Sequence, residues 1–192
     1  YKLNGKIWWL WTFVCEEAVL FVIRKSRSKE VIEEILGKNF NGIIVSDGWK
    51  AYTQFAKILQ RCWAHILREC DKLEEKYKDF KNINEKIHKL FNEICEIRKD
   101  PPPEDKRKIL QLEMKKRLER IARNMISDYR FRKLGNKILN GIDSWFTCVV
   151  YLDVEPTNNF AEQALRELIV QRKIIGGLRS EDGAIIMERI TT

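Results

Sequence analysis

The sequence predicts an α/β domain interrupted by an all-helical block, and two observations predict it. Up to about residue 65 the apolar residues fall in short β-branched or aromatic runs separated by helical stretches. From His65 the hydrophobic spacing becomes helical and stays so to about Trp145, after which a shorter mixed unit closes the chain. The sequence therefore divides into residues 1–65, a first part of the α/β core; 66–145, a helical insertion; and 146–192, a second part of the core.

Each element has its own justification. Residues 7–14 and 18–24 are β-rich apolar runs joined by the polar pair Glu16-Glu17, which reads as an antiparallel hairpin. Trp8, Trp9 and Trp11 stand in the first of these runs, where alternation buries at least one face. Residues 28–36 follow with a helical pattern: Ser28 can cap the N-terminus, acids fill the first turns, and Gly37 stops it. Residues 42–46 form a short β-branched run of the kind buried at a sheet centre, ended by Asp47-Gly48. Residues 49–57 read as a short helix and 59–64 as a further strand. In the helical block, Leu67, Cys70, Leu73, Tyr77 and Phe80, then Ile83, Ile87, Leu90, Ile94 and Ile97, recur at helical spacing, and Pro101-Pro102-Pro103 closes that hairpin. Residues 104–127 resume as a long basic helix and 131–139 as a shorter one. Beyond Pro156 come an Asn-rich turn, an amphipathic helix from about Phe160, a break at Gly176-Gly177 and a closing helix from about Ser180.

Composition narrows the class. The 192 residues are 44% hydrophobic, too apolar for a disordered chain. No apolar stretch approaches the roughly 20 residues of a membrane span. The tryptophan-rich opening also lacks the cleavage site of a secretory signal. Cys15, Cys62, Cys70, Cys95 and Cys148 are odd in number and scattered without a CxxC pair, which predicts a reducing, cytoplasmic setting. Thirty-six Lys and Arg against 28 Asp and Glu give a net charge of +8, which points to a polyanionic partner. The excess concentrates in residues 106–137, where 12 basic residues face Glu113, Glu119 and Asp128. That stripe is either a solvated helix face or, for want of compensating acids, a DNA-backbone contact.

Several residues are candidates for chemistry. Asp47 follows Ile43-Ile44-Val45-Ser46 at the carboxyl end of a central strand, where α/β sheets collect functional side chains; it is equally the aspartate of an Asp-Gly turn. Glu162 is either the partner of an Asn159 capping box or a carboxylate on the margin of the stripe Glu162, Leu165, Arg166, Ile169 and Lys173. From that margin it could point over the sheet edge, with Arg166 and Lys173 toward a phosphate backbone. Arg166 could instead form an i,i+4 ion pair with Glu162. Two carboxylates on a strand end and a neighbouring helix suit two-metal phosphoryl transfer with magnesium. Cys62 and His65 are three residues apart, but a zinc site would need the distant Cys70 and His88, which the spacing disfavours. His65 could instead touch DNA or the reacting phosphate, and Trp49 is the tryptophan placed for base stacking.

The motifs together resemble a family. Asn4-Gly5-Lys6 before Trp8-Trp9-Leu10-Trp11, then Val45-Ser46-Asp47-Gly48-Trp49-Lys50-Ala51-Tyr52, then Gln60-Arg61-Cys62-Trp63-Ala64-His65 resemble the catalytic domain of insertion-sequence transposases of the "IS sixty-six" family. Residues 155–166, Gln171-Arg172-Lys173, Gly176-Gly177 and Arg179-Ser180-Glu181-Asp182-Gly183-Ala184 match its closing motifs, while the helical middle matches in type and position alone. The resemblance implies a DDE transposase with an RNase H-like core, a mixed sheet with flanking helices. Asp47 would be the second acid, Glu162 the third, and the first would lie upstream of Tyr1, leaving this chain inactive alone. It implies two magnesium ions, with manganese as a substitute. The implied partner is DNA, both transposon ends and target, with room for a homodimer in the DNA complex and no membrane. Arg166, Arg172 and Lys173 would approach the phosphates. The carboxylates alone leave two alternatives open: an RNase H-like nuclease or resolvase without strand transfer, and a non-catalytic DNA-binding scaffold derived from a transposase.

Overall fold

The computed structural model describes residues 2–3, 6–175 and 183, without the side chains of Lys2, Leu3, Glu167 and residues 171–175. The chain is mixed α/β and mostly helical, with three two-stranded sheets among the described residues. It forms two compact units, one of Tyr1–Asn39 with Asn159–Thr192 and one of Phe40–Asn158.

In the first unit, β1 (Lys2–Leu3) pairs antiparallel with β2 (Lys6–Ile7). β3 (Trp9–Val14) pairs antiparallel with β4 (Val19–Arg24), from Trp9 opposite Arg24 to Val14 opposite Val19. The expected hairpin is present, with its first run divided at Trp8. Alternation buries Trp11 and leaves Trp9 at 38% exposure beneath the Arg27 guanidinium. α1 (Lys29–Leu36) docks through Val31 and Ile32, and Glu34 accepts three hydrogen bonds from Arg24, tying the helix to β4. Gly37 ends it at φ 81, a conformation a side chain resists. Ser28 stands at the N-cap, but its hydroxyl bonds Ser26 Oγ and caps no helical N–H. α8 (Asn159–Ile175) packs on β3.

In the second unit, β5 (Ile43–Ser46) and β6 (Ile58–Arg61) are parallel, with Ser46 opposite Arg61, and α2 (Lys50–Phe55) crosses between them. α3 (Trp63–Lys76), α4 (Lys81–Lys99), α5 (Glu104–Ile126), α6 (Arg132–Leu139) and the short α7 (Thr147–Val150) complete the unit, with 3-10 turns at Lys78–Phe80 and Ile142–Ser144. The strand expected over 59–64 ends at Arg61; Trp63 and Ala64 are already helical. Trp63 explains it: its ring is fully buried against Trp145 and Phe146, and its Nε1 donates to the Trp145 carbonyl at 2.6 Å, a placement that the first turn of a helix provides. The core of this unit runs from Trp63 and Ile66 through Ile87, Leu90 and Ile94 to Leu118, Ala122, Trp145 and Phe146. The break at Gly176-Gly177 and the closing helix from Ser180 lie outside the described residues.

Candidate functional site

The parallel register fixes the site. Because Ser46 and Arg61 are paired, Asp47 and Cys62 leave the same carboxyl edge of the β5–β6 sheet. The Cys62 N–H donates to the Ser46 carbonyl at 2.8 Å, extending the ladder by one bond. Asp47 is half-buried and its Oδ1 accepts the Trp49 N–H at 2.9 Å, so the turn reading is realised in the structure. One carboxylate oxygen is used in this way, and among the described residues the other takes no hydrogen bond. Gly48 adopts φ 82, and its N–H donates to Ser46 Oγ at 3.3 Å. Trp49 is 41% exposed beside Asp47.

Cys62 is 1% exposed at the N-cap of α3, where its Sγ accepts the Asn158 N–H at 3.1 Å. Burial pushes this thiol's pKa up, but hydrogen bonds from His65, Asn158 and Ala64, with the His65 charge, outweigh it and leave the pKa below its ordinary value. The sulfur and a ring nitrogen of His65 lie within 4.8 Å of each other. Cys70 and His88 do not join them: burial keeps the Cys70 thiol protonated, and His88 Nε2 bonds Asp71 at 2.8 Å. The extra zinc ligands are thus engaged elsewhere.

Arg61 and Gln60 were not singled out by the sequence, although a charge and an amide at the end of an apolar strand are a usable signal. Gln60 is fully buried; its Nε2 donates to the carbonyls of Arg61 and Trp145, and its Oε1 accepts the Cys148 N–H at 2.8 Å. Arg61 is 7% exposed, and burial lowers its pKa against the opposing pull of the Asp47 charge. It lines a cavity of about 250 Å³ with Lys57, Asn140, Asp143, Ser144 and Thr147.

On α8, Glu162 is half-buried in the first turn. The helix begins at Asn159 itself, one residue earlier than an Asn159 cap requires. The core-facing stripe differs from the expected one: Leu168 is 3% exposed whereas Ile169 is 40% exposed. Arg166 is exposed and pairs with no acid among the described residues, so its i,i+4 ion pair with Glu162 is not formed. Arg172 and Lys173 lie in α8, with side chains outside the described residues.

The basic stripe over 106–137 is neutralised only in part by acids outside it. Arg117 holds Glu93, Arg130 holds Asp79 and Asp128, Lys137 holds Glu69, and Lys115 holds Asp143. Lys106, Lys116, Arg120 and Lys133 are left exposed without a partner among the described residues.

An acid where two parallel strands end belongs to a class, the α/β domains, in which functional side chains commonly gather at that edge. The particular family follows from comparison: the Transposase IS66 family matches residues 2–185, and the chain belongs to it. It is a transposase of the DDE type, a class that acts on DNA and uses divalent metal ions. No curated protein and no solved structure matches the chain. No helix among the described residues is long and apolar enough to cross a membrane.

Proposed function

We propose that this chain is the catalytic domain of a transposase that cuts transposon ends and joins them to target DNA. The core is RNase H-like, and residues 66–145 are an insertion between its acid-bearing parts. Asp47 and Glu162 are two of the three acids, and the observation that carries the reading is Asp47, at the shared edge of two parallel strands with one carboxylate oxygen that takes no hydrogen bond among the described residues. Hard, partly exposed carboxylate oxygens suit magnesium or manganese, whereas the soft Cys62 thiolate and the borderline His65 imidazole suit zinc better. Bound there, the two ions would activate the attacking oxygen and stabilise the leaving one. Arg166, exposed and without an acid partner among the described residues, contacts the DNA backbone along with Arg172 and Lys173. Trp49 offers an exposed ring for base stacking, and His65 lies in the first turn of α3. Five free cysteines support a cytoplasmic setting, and a homodimer would hold the paired ends.

The test is strand transfer by the full-length transposase on paired transposon ends. D47N and E162Q should each reduce cleavage and joining by at least roughly 100-fold, about 2.7 kcal/mol in the barrier, without loss of DNA binding. Wild-type joining by either variant removes that residue from the acid set. Cleavage without joining by the wild-type protein identifies a nuclease instead.

A further inference from the structure

The Arg61 guanidinium is packed between two glycines. A Cβ at Gly48 would meet its Cζ and Nε at 3.0 Å, and one at Gly141 would meet its Nε at 2.2 Å. Gly48 directly follows Asp47, and Gly141 directly follows the C-terminal end of the α6 region. The two terminal nitrogens donate to the carbonyls of Lys137 and Asn140, at 3.2 and 3.4 Å, where the helix dipole favours a cation. The group also stands over the Trp145 ring at 5.7 Å. Nε is buried with no hydrogen-bond partner among the described residues, so this nitrogen is held by packing. Burying a guanidinium so incompletely bonded is costly. Its flat face supplies what neither lysine nor an apolar residue can, a thin rigid plate between two backbones.

We infer that Arg61 is a positioning residue for Asp47: its guanidinium fixes the Asp47-Gly48 turn against the end of α6 and holds the carboxylate in its metal-binding orientation. This rests on Asp47 being a metal ligand, as proposed above. R61K is the informative variant because it keeps the charge and loses the plate. A charge effect on metal affinity is thereby held constant, and the expected change comes from orientation alone.

Strand transfer by the full-length transposase, measured across a magnesium series, tests this. R61K should raise the half-saturating magnesium concentration and lower the maximal rate by roughly 10- to 100-fold, as loss of a ligand's supporting contact does, with DNA affinity unchanged. A merely structural role would lower the melting temperature and leave the metal dependence alone. If R61K does not fold, G141A serves: its methyl group displaces Nε from the far side of the plate and should shift magnesium dependence in the same direction. Wild-type magnesium dependence in whichever variant folds overturns the inference. D47N separates the two readings: if it is active, the assignment of Asp47 fails. If D47N is dead and R61K responds normally to magnesium, Asp47 stands and the role of Arg61 falls.

Discussion

Cys62 carries opposing influences on one sulfur, and their balance sets a pH dependence. Burial favours the thiol, while hydrogen bonds from His65, Asn158 and Ala64 favour the thiolate and prevail, so the folded pKa lies below the ordinary 9.0. A group depressed in this way stabilises the fold fully above about pH 9 and loses that contribution as pH falls through its folded value. Urea unfolding of wild type and C62S should therefore show a stability difference that widens in favour of wild type from neutral pH toward 9. A difference that narrows over that range would mean that burial wins. Cys148, pushed up to about 12 by burial, and Cys70, raised by burial as well, change stability above 9, outside this window. Gly48 gives a second prediction at this scale. With φ 82 and Arg61 against its Cα, G48A meets both a disfavoured conformation and a close contact. It should cost about 1–3 kcal/mol in urea denaturation; an unchanged midpoint would show that the turn can move away from Arg61.

At the scale of elements, the junction of β6 with α3 holds the second unit together. Trp63, Trp145 and Phe146 meet edge to face with centroids 5.4–5.7 Å apart, and each tryptophan Nε1 donates to a backbone carbonyl. W145A should destabilise the protein by about 3–5 kcal/mol and flatten its near-ultraviolet circular dichroism, which reports the packed indoles. A loss below 1 kcal/mol would mean that Phe146 and Phe91 close the gap. This junction is also where the sequence was hardest to read. The β3–β4 hairpin, α1, β5 and the long helices were legible because each shows its own period over enough residues. Cys62, Trp63 and Ala64 are apolar in a row, and so short a run suits a buried strand end and a buried helix start alike. What separates them is contact with Trp145 and Pro156, far along the chain. The pairing of the basic stripe was illegible for the same reason. Glu69, Asp79, Glu93 and Asp143 offset part of its charge from outside it, and no local count of charges includes them. In the candidate site, Asp47 was legible from its strand-end position. Arg61 was not, because its importance comes from Gly48 and Gly141 on either side of it.

At the scale of the whole molecule, the β5–β6 pair folds with the helical block in the unit Phe40–Asn158. The ties are specific and buried: Thr147 Oγ1 donates to the Leu59 carbonyl at 2.7 Å, the Cys148 N–H to Gln60 Oε1, and Gln60 Nε2 to the Trp145 carbonyl. Arg98 adds a second strap, donating to the carbonyls of Cys148 and Val154 while bonding Glu155. Without residues 66–145, Gln60 loses the Trp145 carbonyl, Trp63 loses the Trp145 and Phe91 rings, and α7, which carries Thr147 and Cys148, loses the helices α4 and α5 on which it packs. A buried amide stripped of partners costs about 1–3 kcal/mol, on top of the exposed core, and a lone two-stranded sheet is marginal at best. The helical block is thus required by the strand edge that carries Asp47, whatever its contact with DNA. A fragment of residues 40–158 should therefore melt cooperatively with a helical far-ultraviolet spectrum. The complete chain with residues 66–145 replaced by a short Gly-Ser linker should show no cooperative transition from the β5–β6 part, seen as full hydrogen exchange at the amides of Val45 and Gln60. Protected amides there after the deletion would show that the strand edge stands without its helices.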